Sequence, residues 1–274
     1  MPLVAFPLAL LVGWCLLGAE KPVPLVAPYY TAASIVNAAD NQSGALAPNT
    51  IGTIYGTNLA YSTAQVTESS IAGGALPILL GASETTVIIN NTPAALYYVS
   101  PGQINFLVPP DLLPGPVTLY VAVDGYQATD GPVQLTLSRA APGLFQLDPQ
   151  NAIATLPDGS VLTPSSSSPA KPGDIVLLWA TGLGETTPPA DGFQIPTAPA
   201  PLIAGANLSI LLDGTPVDPS AIQFAGVAPG YPGLYQINLK LPMSTAMNPE
   251  IRLQLDGASS IPGVHLPVGP QVVN

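Results

Sequence analysis

"SPGQINFLVP", Ser100 to Pro109, and "PGLYQINLKLP", Pro232 to Pro242, write one motif twice: Gln-Ile-Asn after Pro-Gly and before an apolar run ending in proline. The triplets start at Gln103 and Gln236, an offset of 133. Working backwards, "APNTIGTIYGTNLA" (Ala47 to Ala60) stands against "AKPGDIVLLWATGLG" (Ala170 to Gly184) at an offset of 124, and "VIINNTP" against "ILLDGTP" at 123. Working forwards, "VTLYVAVDG" meets "EIRLQLDG" with Asp124 on Asp256, an offset of 132. Four blocks in one order make an internal repeat. The jump of ten between the second and third blocks predicts an insertion in the second copy, near 217–235.

Each block alternates with a period of two. Val117, Leu119, Val121 and Val123 fall on one face, as do Ile251, Leu253 and Leu255, with Arg252 and Gln254 on the other. Turn signals recur every eight to twelve residues, the pattern of a β-sandwich. The sequence therefore predicts an all-β chain of two tandem immunoglobulin-like β-sandwich domains related as an internal repeat. The division reads as a signal peptide over 1–19, a Pro-rich lead-in over 20–33, repeat 1 over 34–140 and repeat 2 over 141–274. "SRAAPGLF", Ser138 to Phe145, reads as the hinge between them.

Composition supports this. Charged residues are 8% of the 274, with three lysines and two arginines, too few to solvate long helices, while 34 prolines and 26 glycines punctuate the chain. A net charge of −11 removes the cations that nucleic-acid or anionic-membrane binding needs. The acids fall mostly in turns such as Asp124-Gly125, Asp158-Gly159, Asp213-Gly214 and Asp256-Gly257, without calcium-loop spacing. No metal or other cofactor is expected. The N-terminus carries no charge before Glu20, and its apolar run and Gly18-Ala19 fit a signal peptide cut after Ala19, with an uncleaved anchor as the alternative. The expected location is secreted or cell surface. The one cysteine, Cys15, lies in that segment, so a cleaved chain is held by packing without disulfides.

"TIYGTNLA", followed by "VIINNTPAALYYVSPGQINFLVP", resembles the immunoglobulin-like fold called the IPT or TIG domain. With "ATGLG", "FAGVAPGYPGLYQIN" and "LDGASS", the chain resembles a C-terminal domain family of secreted acidobacterial proteins, over roughly Ser34 to Val268. The resemblance implies an exported β-sandwich pair and implies no activity.

Gln103 and Gln236 open a strand, and their amides are expected to pin the backbone of the preceding turn; Asn105 and Asn238 face away from Ile104 and Ile237. They read as repeated structural residues, with a polar ligand site in each copy as the alternative. Gly56 and Gly182 read as turn residues. Trp179, in an apolar strand, is expected in the core. The tyrosines beside the repeated blocks, Tyr97, Tyr98, Tyr231 and Tyr235, are candidate contacts for a glycan or protein, since a phenol joins an apolar face to a polar tip. Nucleophile elbows, zinc helices and P-loops are missing from the sequence, and His265 is its one histidine. The expected function is an exported, non-enzymatic binding, adhesion or scaffolding module with an extracellular glycan or protein partner. The alternatives are a secreted polysaccharide hydrolase using the 217–235 insertion, and a self-assembling surface or filament subunit.

Overall fold

The computed structural model describes residues 27–269 apart from 83, 129–130, 166–168 and 204–206. The segment read as a signal peptide and the first half of the lead-in lie outside the described residues. The strands of the first half are β1 (Ile35–Asn37), β2 (Ile51–Tyr55), β3 (Ala64–Gln65), β4 (Thr86–Ile89), β5 (Thr92–Ser100), β6 (Gln103–Leu107), β7 (Gly115–Val123), β8 (Tyr126–Gln127) and β9 (Val133–Leu137). Those of the second are β10 (Gly143–Leu144), β11 (Gln146–Asp148), β12 (Asn151–Ala152), β13 (Ala154–Thr155), β14 (Ile175–Thr181), β15 (Ala200–Pro201), β16 (Ser209–Leu212), β17 (Thr215–Pro216), β18 (Ile222–Val227), β19 (Tyr235–Lys240), β20 (Ile251–Leu255) and β21 (Ala258–Ser259).

The two halves repeat one topology. β1-β2-β6-β5 with β3 on β5 is matched by β10-β14-β19-β18-β15, and β4-β7-β8 by β16-β20-β21. Alternation sends one face of each strand inward: Ile104 and Phe106, then Tyr235, Ile237 and Leu239, are fully buried. One apolar core gathers residues between Tyr30 and Leu137, the other residues between Ala140 and Val268. The chain is thus a pair of immunoglobulin-like β-sandwich repeats. Even an irregularity is duplicated: β5 bulges at Tyr97, between the pairs Leu96–Phe106 and Tyr98–Asn105, and β18 at Gln223, between Ile222–Leu239 and Phe224–Asn238. A bulge bends its strand locally and leaves one residue unpaired. In the first repeat β5 is continuous and pairs with both β4 and β6, fusing the layers into one nine-stranded sheet. In the second, the short 3₁₀ turn Pro219–Ala221 separates β17 from β18, so the layers are distinct six- and four-stranded sheets.

The Asp-Gly turns have the geometry that hairpins require. Asp124-Gly125, Asp213-Gly214 and Asp256-Gly257 have positive φ at both residues, matching the right-handed twist of the strands they join. In the turn at Asp158 the carboxylate accepts the Ser160 N–H, and that hydrogen bond holds its carboxyl below the usual range.

The segment read as a hinge is packed in place: Ala140 and Ala141 are buried, the Ala141 N–H donates to Gly182 O, and Asn37 Nδ2 donates to Ala141 O. The sequence offsets also hide a change larger than the insertion near 217–235. The connection from β2 to β3 spans 56–63, whereas that from β14 to β15 spans 182–199; the next connection shrinks from 66–85 to 202–208. Lengthening and shortening nearly cancel, so offsets of 124 before and 123 after give no sign of either.

The long 182–199 connection reaches across to the first repeat. The Leu76 N–H donates to Phe193 O, the Ile195 N–H donates to Gly74 O, and Ala75 pairs with Gln194. Phe193 and Ile195 pack with Ile51, Leu76, Ala95, Tyr97 and Leu107 in a third apolar cluster. The matching residues of the second repeat, by register and bulge, are Ile175, Gln223 and Lys240 in place of Ile51, Tyr97 and Leu107. The apolar patch is therefore peculiar to the repeat that has a neighbour to cover it.

Candidate functional site

The repeated amides bond to each other along the strand. Gln103 Nε2 donates to Asn105 Oδ1 at 2.8 Å, and Gln236 Nε2 to Asn238 Oδ1 at 2.7 Å. Residues two apart on a strand share a face, so this is the short path open to the amide; the expected contact to the preceding turn is corrected. In the first repeat Asn105 Oδ1 also accepts from Thr53 Oγ1. Leu177 occupies the place of Thr53 in the second, and it has no side-chain hydroxyl to join the pair.

Two of the four candidate tyrosines serve the junction between repeats. Tyr235 is fully buried; its hydroxyl donates to Gly184 O and accepts from Asn49 Nδ2 of the first repeat at 2.9 Å. The Tyr97 hydroxyl donates to Pro232 O of the second repeat. A contact residue must present its ring to solvent, so Tyr235 is corrected from ligand contact to junction core, and the tip of Tyr97 is already committed. Tyr98 is half-buried opposite Asn105, and Tyr231 is exposed. Trp179 is also corrected. It alternates with the buried Leu178 and Ala180, and lies half-buried on the outer face of β14.

Thr181 Oγ1 completes the junction, accepting the Ile51 N–H at 2.9 Å and donating to Gly233 O at 2.7 Å. Gly182 has φ +76 as expected, and a Cβ there would lie 2.1 Å from Ala141 O. Gly56 is glycine for a different reason: its φ is not positive, but a Cβ would lie 2.3 Å from Tyr29 O. Clefts of about 260 and about 280 Å³ flank the junction and share Asn49, whose Oδ1 is buried without a partner among the described residues.

Burial raises the Tyr97 phenol far above its ordinary value near 10, and burial likewise raises Tyr235 against the smaller opposing effect of the Asn49 hydrogen bond. The folded chain holds these protons while the unfolded chain releases them near pH 10, so their contribution is complete below about pH 10 and declines as pH rises above it. Thermal melts from pH 7 to 11.5 are expected to show a flat Tm to about pH 10 and then a fall. Tyr97→Phe and Tyr235→Phe should each flatten that fall; an unchanged slope would mean other groups control alkaline stability.

The sequence reading missed the tyrosines that are exposed together. Tyr29, Tyr55, Tyr61 and Tyr126 are 55%, 41%, 46% and 55% exposed; β2 meets the second repeat at Ile51, whose N–H donates to Thr181, and runs away from it to Tyr55. Backbone pairing joins Tyr29 to Thr57, beside Tyr55. The connection after β2 crosses this end, with the Leu59 N–H on Pro101 O, Leu59 O accepting the Thr85 hydroxyl, and Tyr61 on Asp124 Oδ2 at 3.3 Å. The available signal was position: Tyr61 follows "GTNLA" and Tyr126 follows Asp124-Gly125, both turns. Among the described residues, no three His, Cys, Asp or Glu side chains converge to hold a metal. No helix among them is long and apolar enough to cross a membrane.

Fold and surface together define a tandem immunoglobulin-like module with an aromatic end. Residues 35–137, the first repeat, match the IPT/TIG domain. No curated protein matches the chain. Among solved structures it is similar to the surface glycan-binding protein PbSGBP-B from Prevotella bryantii, at 13% identity and TM-score 0.26, over 85% of this chain and 41% of that one. It is also similar to the plexin A4 extracellular region, at 13% identity and TM-score 0.28, over 93% of this chain and 19% of that one. A third is the Escherichia coli adhesin FdeC, at 13% identity and TM-score 0.22, over 89% of this chain and 66% of that one. The chain spans less than half the length of the first.

Proposed function

We propose that the chain is an exported, non-enzymatic binding or adhesion module that engages an extracellular glycan or protein through the tyrosine-bearing end of its first repeat. The carrying observation is the gathering of Tyr29, Tyr55, Tyr61 and Tyr126, all exposed, on one end of a sandwich whose other end is occupied by its sister repeat. Rigid aromatic rings with polar tips contribute contact area at low entropic cost, and loops at the end of a sandwich are a recurrent place for them. Export rests on the uncharged N-terminal run and on the resemblance to secreted acidobacterial C-terminal domains. The division into 1–19, 20–33, 34–140 and 141–274 belongs to the same proposal. Of the tyrosines singled out in the sequence, Tyr98 and Tyr231 stay as secondary contacts.

The test is a screen of the full chain against a glycan panel and extracellular proteins, reading retained ligand and released product together. Retention without product is expected, and the combined change Tyr29→Ala, Tyr61→Ala, Tyr126→Ala should weaken it tenfold or more with the melting curve little changed. Released product would overturn the non-enzymatic reading. Retention indifferent to the triple change would remove the tyrosine end.

A further inference from the structure

The second repeat carries a surface with different chemistry. On the outer face of β19, Gln236 Nε2 is committed to Asn238 Oδ1, leaving Gln236 Oε1 as an acceptor beside Asn238 Nδ2 as a donor. The register brings aromatic rings to both. Trp179 stands opposite Gln236 on one flank, and Phe224 stands opposite Asn238 on the other. Directly paired side chains lie about 5 Å apart, and two strand spacings plus one two-residue step put the rings about 12 Å from each other, with the amides between them. Gly226, opposite Gln236 on β18, adds no side chain to obstruct the row. All four side chains are partly exposed.

The charge on this face selects a ligand class. The six strands of the sheet contain no acid, and Lys240 is their one charged residue. A flat, uncharged surface with two rings and an adjacent acceptor and donor is complementary to a neutral polyhydroxyl chain. The rings cover the apolar faces of sugar units, one hydroxyl donates to Gln236 Oε1, and a neighbouring hydroxyl accepts from Asn238 Nδ2. An apolar protein patch would bury the amide pair unsatisfied, at about 1–3 kcal/mol per group. An anionic glycan would find only Lys240. We propose that this face, Trp179–Gln236–Asn238–Phe224, is a binding site for a neutral polysaccharide strand, separate from the tyrosine end.

The first repeat supplies an internal control. Its matching face has Tyr55 tied to Asn41 Oδ1, Asn105 shared with Thr53, and the next row covered by Phe193 and Ile195. It has the same amides, also partly exposed, but its ring hydroxyl and its Asn105 acceptor are already engaged.

Trp179 is one of two tryptophans; the other, Trp14, lies in the N-terminal segment, so Trp14→Phe makes Trp179 the sole emitter in the full chain. The probes are cellohexaose, xylohexaose and an α-glucan oligosaccharide as neutral ligands, with oligogalacturonate as the anionic comparison. Expected is a saturable change in Trp179 emission with at least one neutral ligand. Gln236→Ala and Phe224→Ala should each weaken it about tenfold or more, Gln103→Ala should leave it unchanged, and oligogalacturonate should be weaker by at least tenfold. Melting curves confirm that the variants fold, and should Phe224→Ala not fold, Asn238→Ala takes its place. No saturable change with any neutral ligand, equal binding of the anionic one, or equal loss in Gln103→Ala would overturn the proposal. Retention that disappears in the tyrosine-end triple variant while Trp179 emission never changes would overturn it and leave the functional reading intact.

Discussion

Gly182→Ala is expected to destabilise the chain by about 2–5 kcal/mol, lowering Tm by roughly 5–20 °C. Two effects act together. At φ +76 an alanine pays the left-handed penalty of about 1–2 kcal/mol, and its Cβ would stand 2.1 Å from Ala141 O and 2.8 Å from Ala141 C, which are backbone atoms that cannot rotate away. The Ala141 N–H is itself held by Gly182 O, so relieving the clash breaks the bond that joins the inter-repeat segment to β14. Gly159→Ala separates the contributions: φ is +86 with nothing within 4 Å of the added Cβ, so only the backbone penalty remains. Gly182→Asn is the second comparison, because asparagine tolerates this φ, as Asn58 does at +57 in the matching place of the first repeat. It should remain nearly as damaging as alanine. If it is as stable as the parent, steric closure at Ala141 is not what selects glycine.

Tyr235→Phe should cost about 2–4 kcal/mol although it removes one oxygen. That oxygen satisfies two buried groups in different repeats, Gly184 O and Asn49 Nδ2, and orphaning each costs about 1–3 kcal/mol. Among the described residues Asn49 Oδ1 has no partner, so the substitution removes the one side-chain bond they give this buried amide. Asn49→Gly tests the pairing, because φ +62 suits glycine and Gly173 holds φ +90 at the matching position. A double-mutant cycle should give a coupling above about 1 kcal/mol, and the double variant should be less destabilised than the sum of the singles. Coupling within about 0.3 kcal/mol of zero would show that the tyrosine stabilises its own core and not the junction.

The same tyrosine shows where sequence reading succeeds and stops. Alternation through "YQINLK" requires Tyr235, Ile237 and Leu239 to share a face, and they are the buried ones. What the hydroxyl meets depends on Asn49, 186 positions away, and no local pattern carries that. Tyr55, Tyr61 and Tyr126 escaped notice for a related reason. They are scattered among turns, and their common placement exists only once the sandwich brings the ends of β2, β5 and β7 together. Trp179 was misread because an apolar strand can be apolar on both faces; the hydrophobic run "IVLLWA" does not say which side is covered.

By itself the sequence determined the β-sandwich, its duplication, the strands with their inward faces and the Asp-Gly hairpins. These follow from period-two alternation and turn chemistry, which act over a few residues. The tertiary structure alone decided the junction, the arm of residues 182–199 laid over the first repeat, and which partners each copy of the Gln-Ile-Asn face acquires. Those depend on contacts between segments distant in sequence, up to 186 positions for Asn49 and Tyr235, where paired length changes cancel in the offsets and identical motifs acquire different neighbours.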